Sequence, residues 1–293
     1  MITFSSSKCS NIQKTIESIQ SRCTLINLKQ NETQLLKKII KRIKVAEKIN
    51  ITKQAENFIM NICNNSIRLL INYLEKFNPN VIGLAGDVSK YEFCIALREF
   101  ALKNFGRIDI LINNAGVASS GLLKESAPNA LEKVVNINLL GSIYPTLACV
   151  NNICKHRGSI LFISSVAGII GLPNYSQYSA TKRAVISLAE SLKSELIDYG
   201  VFVGINYPGF TENEDHKTII NSEGVEVLLS KRPGINALTR EQTAEKIIKQ
   251  LQKKKFRMYP TISAKIIQIM YSLSPSLTLN IVIYFRKKII SMQ

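Results

Sequence analysis

Between residues 81 and 206 short, largely apolar runs alternate with longer helical stretches, and that alternation restricts the fold more than any other feature of the chain. The runs fall at 81–85, 108–112, 159–163 and 201–206. Strands that are apolar throughout must be covered on both faces, which a parallel sheet flanked by helices achieves. The helical stretches predicted between them are 91–105 closed by Gly106, 129–149, and 176–199 closed by Gly200. The expected fold class is α/β, a doubly wound parallel sheet with helices on both faces. In such a sheet, ligands gather at the carboxyl ends of the strands.

The residues before this region have a different texture. All 14 glycines lie at or after Gly83. Leu35, Leu36, Ile39, Ile40 and Ile43 recur at helical spacing among lysines, and a second helical stretch spans 52–77 before Asn78-Pro79-Asn80 ends it. The only strand-like piece there is 24–28.

Composition narrows the function classes. Hydrophobic residues make up 46% of the 293 and charged residues 20%, so a core can be buried and global disorder is excluded. Six scattered cysteines without Cys-x-x-Cys spacing, and only two histidines, His156 and His216, argue against a structural zinc site; no metal is expected. The formal charge of +17 suits an anionic partner: a phosphate-bearing cofactor, an anionic membrane surface or nucleic acid. Solvated lysines are the plainer account of the same charge. No zinc finger or RNP-like aromatic motif supports nucleic acid, which is not expected as a partner. Residues 1–44 are polar and lysine-rich rather than an apolar leader, so the expectation is a reduced, cytosol-facing protein.

The chemistry-bearing residues sit at strand ends. The run 108–112 leads into Asn113-Asn114-Ala115-Gly116, and 159–163 leads into Ser164-Ser165. The next helix carries Tyr178 and, four residues on, Lys182, which places a phenol and an ammonium on one helical face. A neighbouring ammonium favours the phenolate and lowers a pKa that starts near ~10. A phenol tuned in this way exchanges a proton with a carbonyl or alcohol oxygen.

In order and spacing, Asn113-Asn114-Ala115-Gly116, Ser165, Tyr178-Ser179-Ala180-Thr181-Lys182 and Pro208-Gly209 resemble the short-chain dehydrogenase/reductase family, with Ser165 13 positions before Tyr178. The resemblance covers roughly residues 81–252 and implies a Rossmann-type domain that moves a hydride between a nicotinamide cofactor and a carbonyl or hydroxyl group. It implies that Tyr178 is the general acid, that Lys182 lowers its pKa and holds the nicotinamide ribose, and that Ser165 steadies the substrate oxygen. Asn138 would support a water in the proton relay. Asp87 and Val88 would contact adenine, Asn114, Ala115 and Gly116 would back the cofactor, and Pro208 and Gly209 would flank the nicotinamide. Taken singly, these residues have plain structural readings as turn, cap or loop polar groups; their joint occurrence carries the resemblance.

The amino end departs from the family pattern. The glycine-rich Thr-Gly-x-x-x-Gly-x-Gly turn has its best counterpart in Thr3-Phe4-Ser5-Ser6-Ser7-Lys8-Cys9-Ser10, where Phe4, Lys8 and Ser10 replace the three glycines. Glycine serves there because the backbone must turn with positive φ and lie close to the pyrophosphate. Thr3 and Ser5 are the cofactor contacts expected to remain. Lys29 falls where the family selects its cofactor, and with no acidic residue beside it the resemblance favours NADP(H) over NAD(H). The span from Gln30 to Asp87 is about twice the expected length, which predicts a helical insertion at about 41–77 in an oxidoreductase domain of 1–260.

The remaining segment, 261–293, is set apart by 20 uncharged residues, 266–285, followed by Arg286-Lys287-Lys288. A membrane span needs about 20 apolar residues with basic flanks on its cytoplasmic side. The polar residues and Pro275 within it leave three readings open: a span, an interfacial or re-entrant element, or a helix over the substrate cleft. Ser164-Ser165-Val166-Ala167-Gly168, Leu188-Ala189-Glu190-Ser191-Leu192 and this apolar tail look most like the 3-ketodihydrosphingosine reductase branch. That likeness implies a lipid-like ketone substrate and a membrane surface such as the endoplasmic reticulum; a homo-oligomer is a further expected partner. The alternative is a catalytically silent relative that acts as a binding or membrane-associated protein.

Overall fold

The computed structural model describes residues 2–4, 82–84, 86–211, 218–229 and 237–291. The chain divides into two compact units, residues 1–6 with 87–293, and residues 7–86; the description below concerns the first. Ser5, Lys29, the strand-like piece at 24–28 and the insertion at 41–77 lie outside the described residues.

A five-stranded sheet has the order β1-β2-β3-β4-β7, where β1 is Ile2–Phe4, β2 Ile110–Asn113, β3 Ser159–Ile163, β4 Phe202–Asn206 and β7 Arg257–Met258. Strands β2, β3, β4 and β7 are parallel, in a register that sets Ile110 beside Ser159 and Ser159 beside Phe202. A separate hairpin, β5 Thr218–Ile220 and β6 Glu226–Leu228, stands apart from that sheet.

Alternation along β3 shows how both faces are covered. Ile160 and Phe162 join Val203 and Ile205 of β4 in the main core. Onto that face pack α1 (Tyr91–Phe105) through Cys94 and Ala101, α3 (Gly141–Lys155) through Ala148, Cys149 and Ile153, and α5 (Ser176–Glu195) through Val185, Ile186 and Ala189. On the other face, Leu161 and Ile163 meet Ile112, backed by Ile247 and Leu251 of α6 (Arg240–Gln252). The doubly wound expectation is met in these layers.

Helix α1 has the predicted bounds and ends because Gly106 takes the left-handed conformation, φ 75°, that side chains resist. The helix expected at 129–149 is longer and not uniform. It begins as α2 (Pro128–Val135), passes through a π-helical turn, Asn136–Leu140, and continues as α3. The run at 82–84, expected within a strand, carries no strand assignment.

The first strand differs in direction. β1 pairs antiparallel with β2, Ile2 opposite Ile112 and Phe4 opposite Ile110, so the chain at Phe4 has reached the amino end of β2. The family pattern implies the reverse, a first strand running to the carboxyl ends of its neighbours and opening there into a turn.

The tail forms three helices in the same unit as the sheet: α7 (Ile262–Leu273), α8 (Pro275–Tyr284) and α9 (Arg286–Ser291). Pro275 opens α8 just after Ser274 ends α7, as expected of a residue without a backbone donor. Ala264 is buried, and Ile267 and Tyr271 pack against the main core. Among the described residues one helical stretch is long and apolar enough to cross a membrane, Pro128–Lys155, and it is the helix laid against the sheet.

Candidate active site

Three strand ends and two helices bring the predicted residues together. Ser165 follows β3 and caps the short helix α4 (Val166–Ile169), its Oγ accepting from the Ala167 amide at 3.2 Å. Tyr178 lies in the first turn of α5, half-buried, and its phenol is hydrogen-bonded to the Ser165 hydroxyl. Lys182, one turn on, is buried; its Nζ donates to the Ile163 carbonyl at 2.9 Å and stands 5.8 Å from the Tyr178 ring centroid.

Asn138 is fully buried in the π-helical turn. Its Oδ1 accepts from the Val117 amide at 2.7 Å, while Nδ2 donates to the Val117 carbonyl and to Thr181 Oγ1. The amide thus fastens the loop after β2 to α5 one residue before Lys182. Thr181 was not expected in this role, although its place inside Tyr-x-x-x-Lys could have suggested it.

Gly116 explains the close approach of that loop. A Cβ there would stand 3.2 Å from both Asn138 Oδ1 and Lys182 Nζ. Gly168 does the same for α4: a Cβ would meet Ser164 Oγ at 2.7 Å and the Lys182 carbonyl at 2.9 Å. Ser164 Oγ already donates to that carbonyl at 2.8 Å, so Gly168 and Ser164 together hold the backbone of Lys182. Both stand in the stretch singled out from sequence, but this contact could not be read there, because a close approach between helices leaves no local pattern.

Other candidates occupy supporting places. Asn114 and Gly116 are exposed and Ala115 partly so. Pro208 accepts from the Val166 amide through its carbonyl, and Gly209 lies against Thr261, the cap of α7. Asp87 Oδ1 accepts from both the amide and hydroxyl of Ser89, which makes it the stop of a local turn. Val88 packs against Gly141, where a Cβ would come within 2.8 Å of its Cγ2. Thr3 stands inside strand β1, opposite Leu111.

Electrostatics correct one expectation. Burial pushes the Tyr178 phenol above its ordinary value, with the Ser165 hydrogen bond opposing and the neighbouring Tyr175 adding to the rise. Lys182 is not among the causes. Its ammonium donates to the Ile163 carbonyl.

The profile of the short chain dehydrogenase family matches residues 44–224. This chain belongs to the short-chain dehydrogenase family. Among curated relatives it is 34% identical over 188 residues to the 3-dehydrosphinganine reductase of Danio rerio, a match covering 60% of this chain and 54% of that protein. It is 36% identical over 155 residues to the 3-ketodihydrosphingosine reductase of Mus musculus, covering 50% and 47%. The chain therefore spans about half the length of the curated relatives it matches. A short chain dehydrogenase/reductase from Burkholderia phymatum, solved in complex with NAD, shares the fold with a TM-score of 0.61 at 24% identity, covering 73% of this chain and 82% of that one.

Proposed function

We propose that this member of the short-chain dehydrogenase family is an NADP(H)-dependent oxidoreductase that reduces the ketone of a lipid-like substrate, of the 3-ketodihydrosphingosine type, or oxidises the matching alcohol. The observation that carries the reading is the convergence of Ser165, Tyr178, Lys182 and Asn138 at the carboxyl ends of β2 and β3. The relatives named for sphingoid-ketone reduction support the substrate class. Residues 1–260 would form the oxidoreductase domain, and 261–293 a tail that meets a membrane surface on the cytosolic side, such as the endoplasmic reticulum.

The residues present fit the nicotinamide ribose end of such a cofactor. Gly116 leaves open the space beside Lys182 and Asn138 that a Cβ would fill, and Tyr178 borders the same place. Lys182, Tyr178, Asn114, Ala115, Gly116, Pro208 and Gly209 would hold that end. When bound, the cofactor supplies or accepts the hydride at the carbonyl carbon.

The chain handles the proton. Its raised pKa keeps Tyr178 a neutral phenol at neutral pH, the form that can give a proton to a ketone oxygen as that oxygen gains charge. The Ser165 hydroxyl, already bonded to the phenol, would donate to the same oxygen. Asn138 fixes the Gly116 loop and Thr181, which keeps Lys182 in place without contacting the reacting atoms.

Fluorescence titration of the purified chain with NADPH and with NADH, followed by an absorbance assay of cofactor oxidation with 3-ketodihydrosphingosine in mixed micelles, tests the reading. Saturable binding that favours NADPH, with ketone-dependent oxidation, is expected. A chain that binds neither nucleotide is not this enzyme.

A further inference from the structure

On the flank of α5 turned away from Tyr178 and Lys182, a groove of about 550 Å³ runs between that helix, the segment after α4 and the tail helix α8. Ser176, Ser179, Ala180 and Arg183 line it from α5, at spacings that place them on one stripe, separate from the stripe of Tyr178 and Lys182. Leu172 and Pro173 form one wall, and Leu279, Val282 and Ile283 the other. A volume of this size falls within the about 300–1,000 Å³ of small-molecule sites.

The charges in this groove are of one sign. Arg183 and Arg286 are the charged residues that line it, and no carboxylate is among the lining residues. Arg183 Nη2 donates to the Tyr271 hydroxyl at 2.6 Å, a neutral partner, and Arg286 Nη1 donates to the Ile283 carbonyl at 2.9 Å. Each guanidinium carries five N–H donors, so these bonds leave donors for another acceptor. The nearby carboxylate, Glu190, is committed to Arg257 at 2.6 Å.

We infer that this groove binds one long-chain amphiphile with an anionic head, a fatty-acid carboxylate, with its chain along the apolar walls and its head at Arg183 and Arg286. The apolar walls call for an alkyl chain, and two guanidiniums without a counter-carboxylate call for an anion that accepts planar, charge-assisted bonds. The site lies outside the catalytic cleft and does not depend on the chemistry proposed there.

Isothermal titration of the full chain with monomeric laurate tests this, with dodecylammonium as the cationic control and phosphatidylglycerol vesicles as the bilayer control. One saturable laurate site is expected, with little or no binding of dodecylammonium. Arg286→Gln should weaken laurate binding about tenfold, and Leu279→Trp, which fills the groove from a half-exposed position, should abolish it. Both variants should keep the far-UV circular dichroism of the parent, and laurate should raise the thermal midpoint of the parent most, that of Arg286→Gln less and that of Leu279→Trp not at all. Equal binding of the two amphiphiles, unchanged affinity in both variants, or binding to vesicles without binding to monomeric laurate would each overturn the assignment.

Discussion

The ammonium of Lys182 donates to the backbone carbonyl of Ile163, the last residue of β3, across 2.9 Å. That bond ties α5 to the sheet edge where the substrate oxygen is expected, and it lets a lysine remain buried. Charge at this depth needs a partner, and this carbonyl oxygen supplies one.

Removing that ammonium should therefore harm the site more than the fold. Lys182→Met keeps the stem volume but leaves the Ile163 carbonyl unpaired, at a cost of about 1–3 kcal/mol. NADPH affinity should fall with it, while the change in the thermal midpoint stays within a few degrees. A variant that binds NADPH as the parent does would remove Lys182 from the ribose site.

Tyr178→Phe tests the proton donor. Turnover should fall by about 10²–10⁴-fold with NADPH affinity largely retained, since in the proposed reading the phenol acts on the proton and Lys182 on the ribose. Burial raises the phenol, so ketone reduction should stay level through neutral pH. It should decline only on the alkaline side, above the ordinary tyrosine value of 10.0. A reduction rate that already falls between pH 6 and 8 would contradict a neutral phenol as the acid.

The same direction of shift recurs in the core and bears on stability. Burial raises Cys94 from 9.0 to about 11 and Cys149 from 9.0 to about 12. Each folded thiol holds its proton beyond the pH at which the unfolded thiol loses it. Stability is then fully present below about pH 9 and is lost as pH climbs toward 11–12. Urea midpoints measured from pH 8 to 11 should fall, and Cys149→Ala should flatten part of that slope.

What the sequence made legible, and what it hid, follows from the range of the interactions involved. Helix α1 and strand β3 have the expected bounds because their signals are local: apolar periodicity, and for α1 a glycine at the left-handed stop. The direction of β1 is set by pairing with β2 more than one hundred positions away, and three residues carry no pattern that fixes it. The π-helical turn is hidden for a related reason. Its extra residue makes room for Asn138 against Val117 and Thr181, contacts that lie far apart in sequence. The site was readable as a set of residue types at fixed spacings. That Tyr178 is shifted upward was not readable, because helical spacing places Lys182 near the ring but does not say where its ammonium points.

Glycines separate local from tertiary demands. At Gly158 a Cβ would meet the Asp109 carbonyl at 2.2 Å, where the start of β3 lies against β2, whereas at Gly171 nothing lies within 4 Å. Gly158→Ala should destabilise by at least about 1–3 kcal/mol through forced backbone movement, and Gly171→Ala should be nearly neutral. Chemical denaturation of both variants checks the pair, and similar midpoints would mean that the sheet yields at Gly158 at little cost.

The tail offers the last test, which concerns the proposed membrane surface. Ile262 and Leu273, at opposite ends of α7, are 81% and 82% exposed, and Ile266, Ile269, Leu277 and Tyr284 extend the uncovered apolar surface along α7 and α8. Together they make more apolar surface than a small monomer ordinarily leaves in water. Exposed Arg286 and Lys287 follow directly, and each basic residue near an anionic bilayer contributes about 1 kcal/mol. The inward residues, Ala264, Ile267 and Tyr271, hold α7 on the core, so the outward ones can be changed without undoing the fold. The full chain should float with phosphatidylserine-containing liposomes and lose much of that binding at high salt. The double variant Ile262→Asp with Leu273→Asp should remain in the lower fractions, with an unchanged thermal midpoint. If the variant floats as the parent does, this face is not what meets the bilayer.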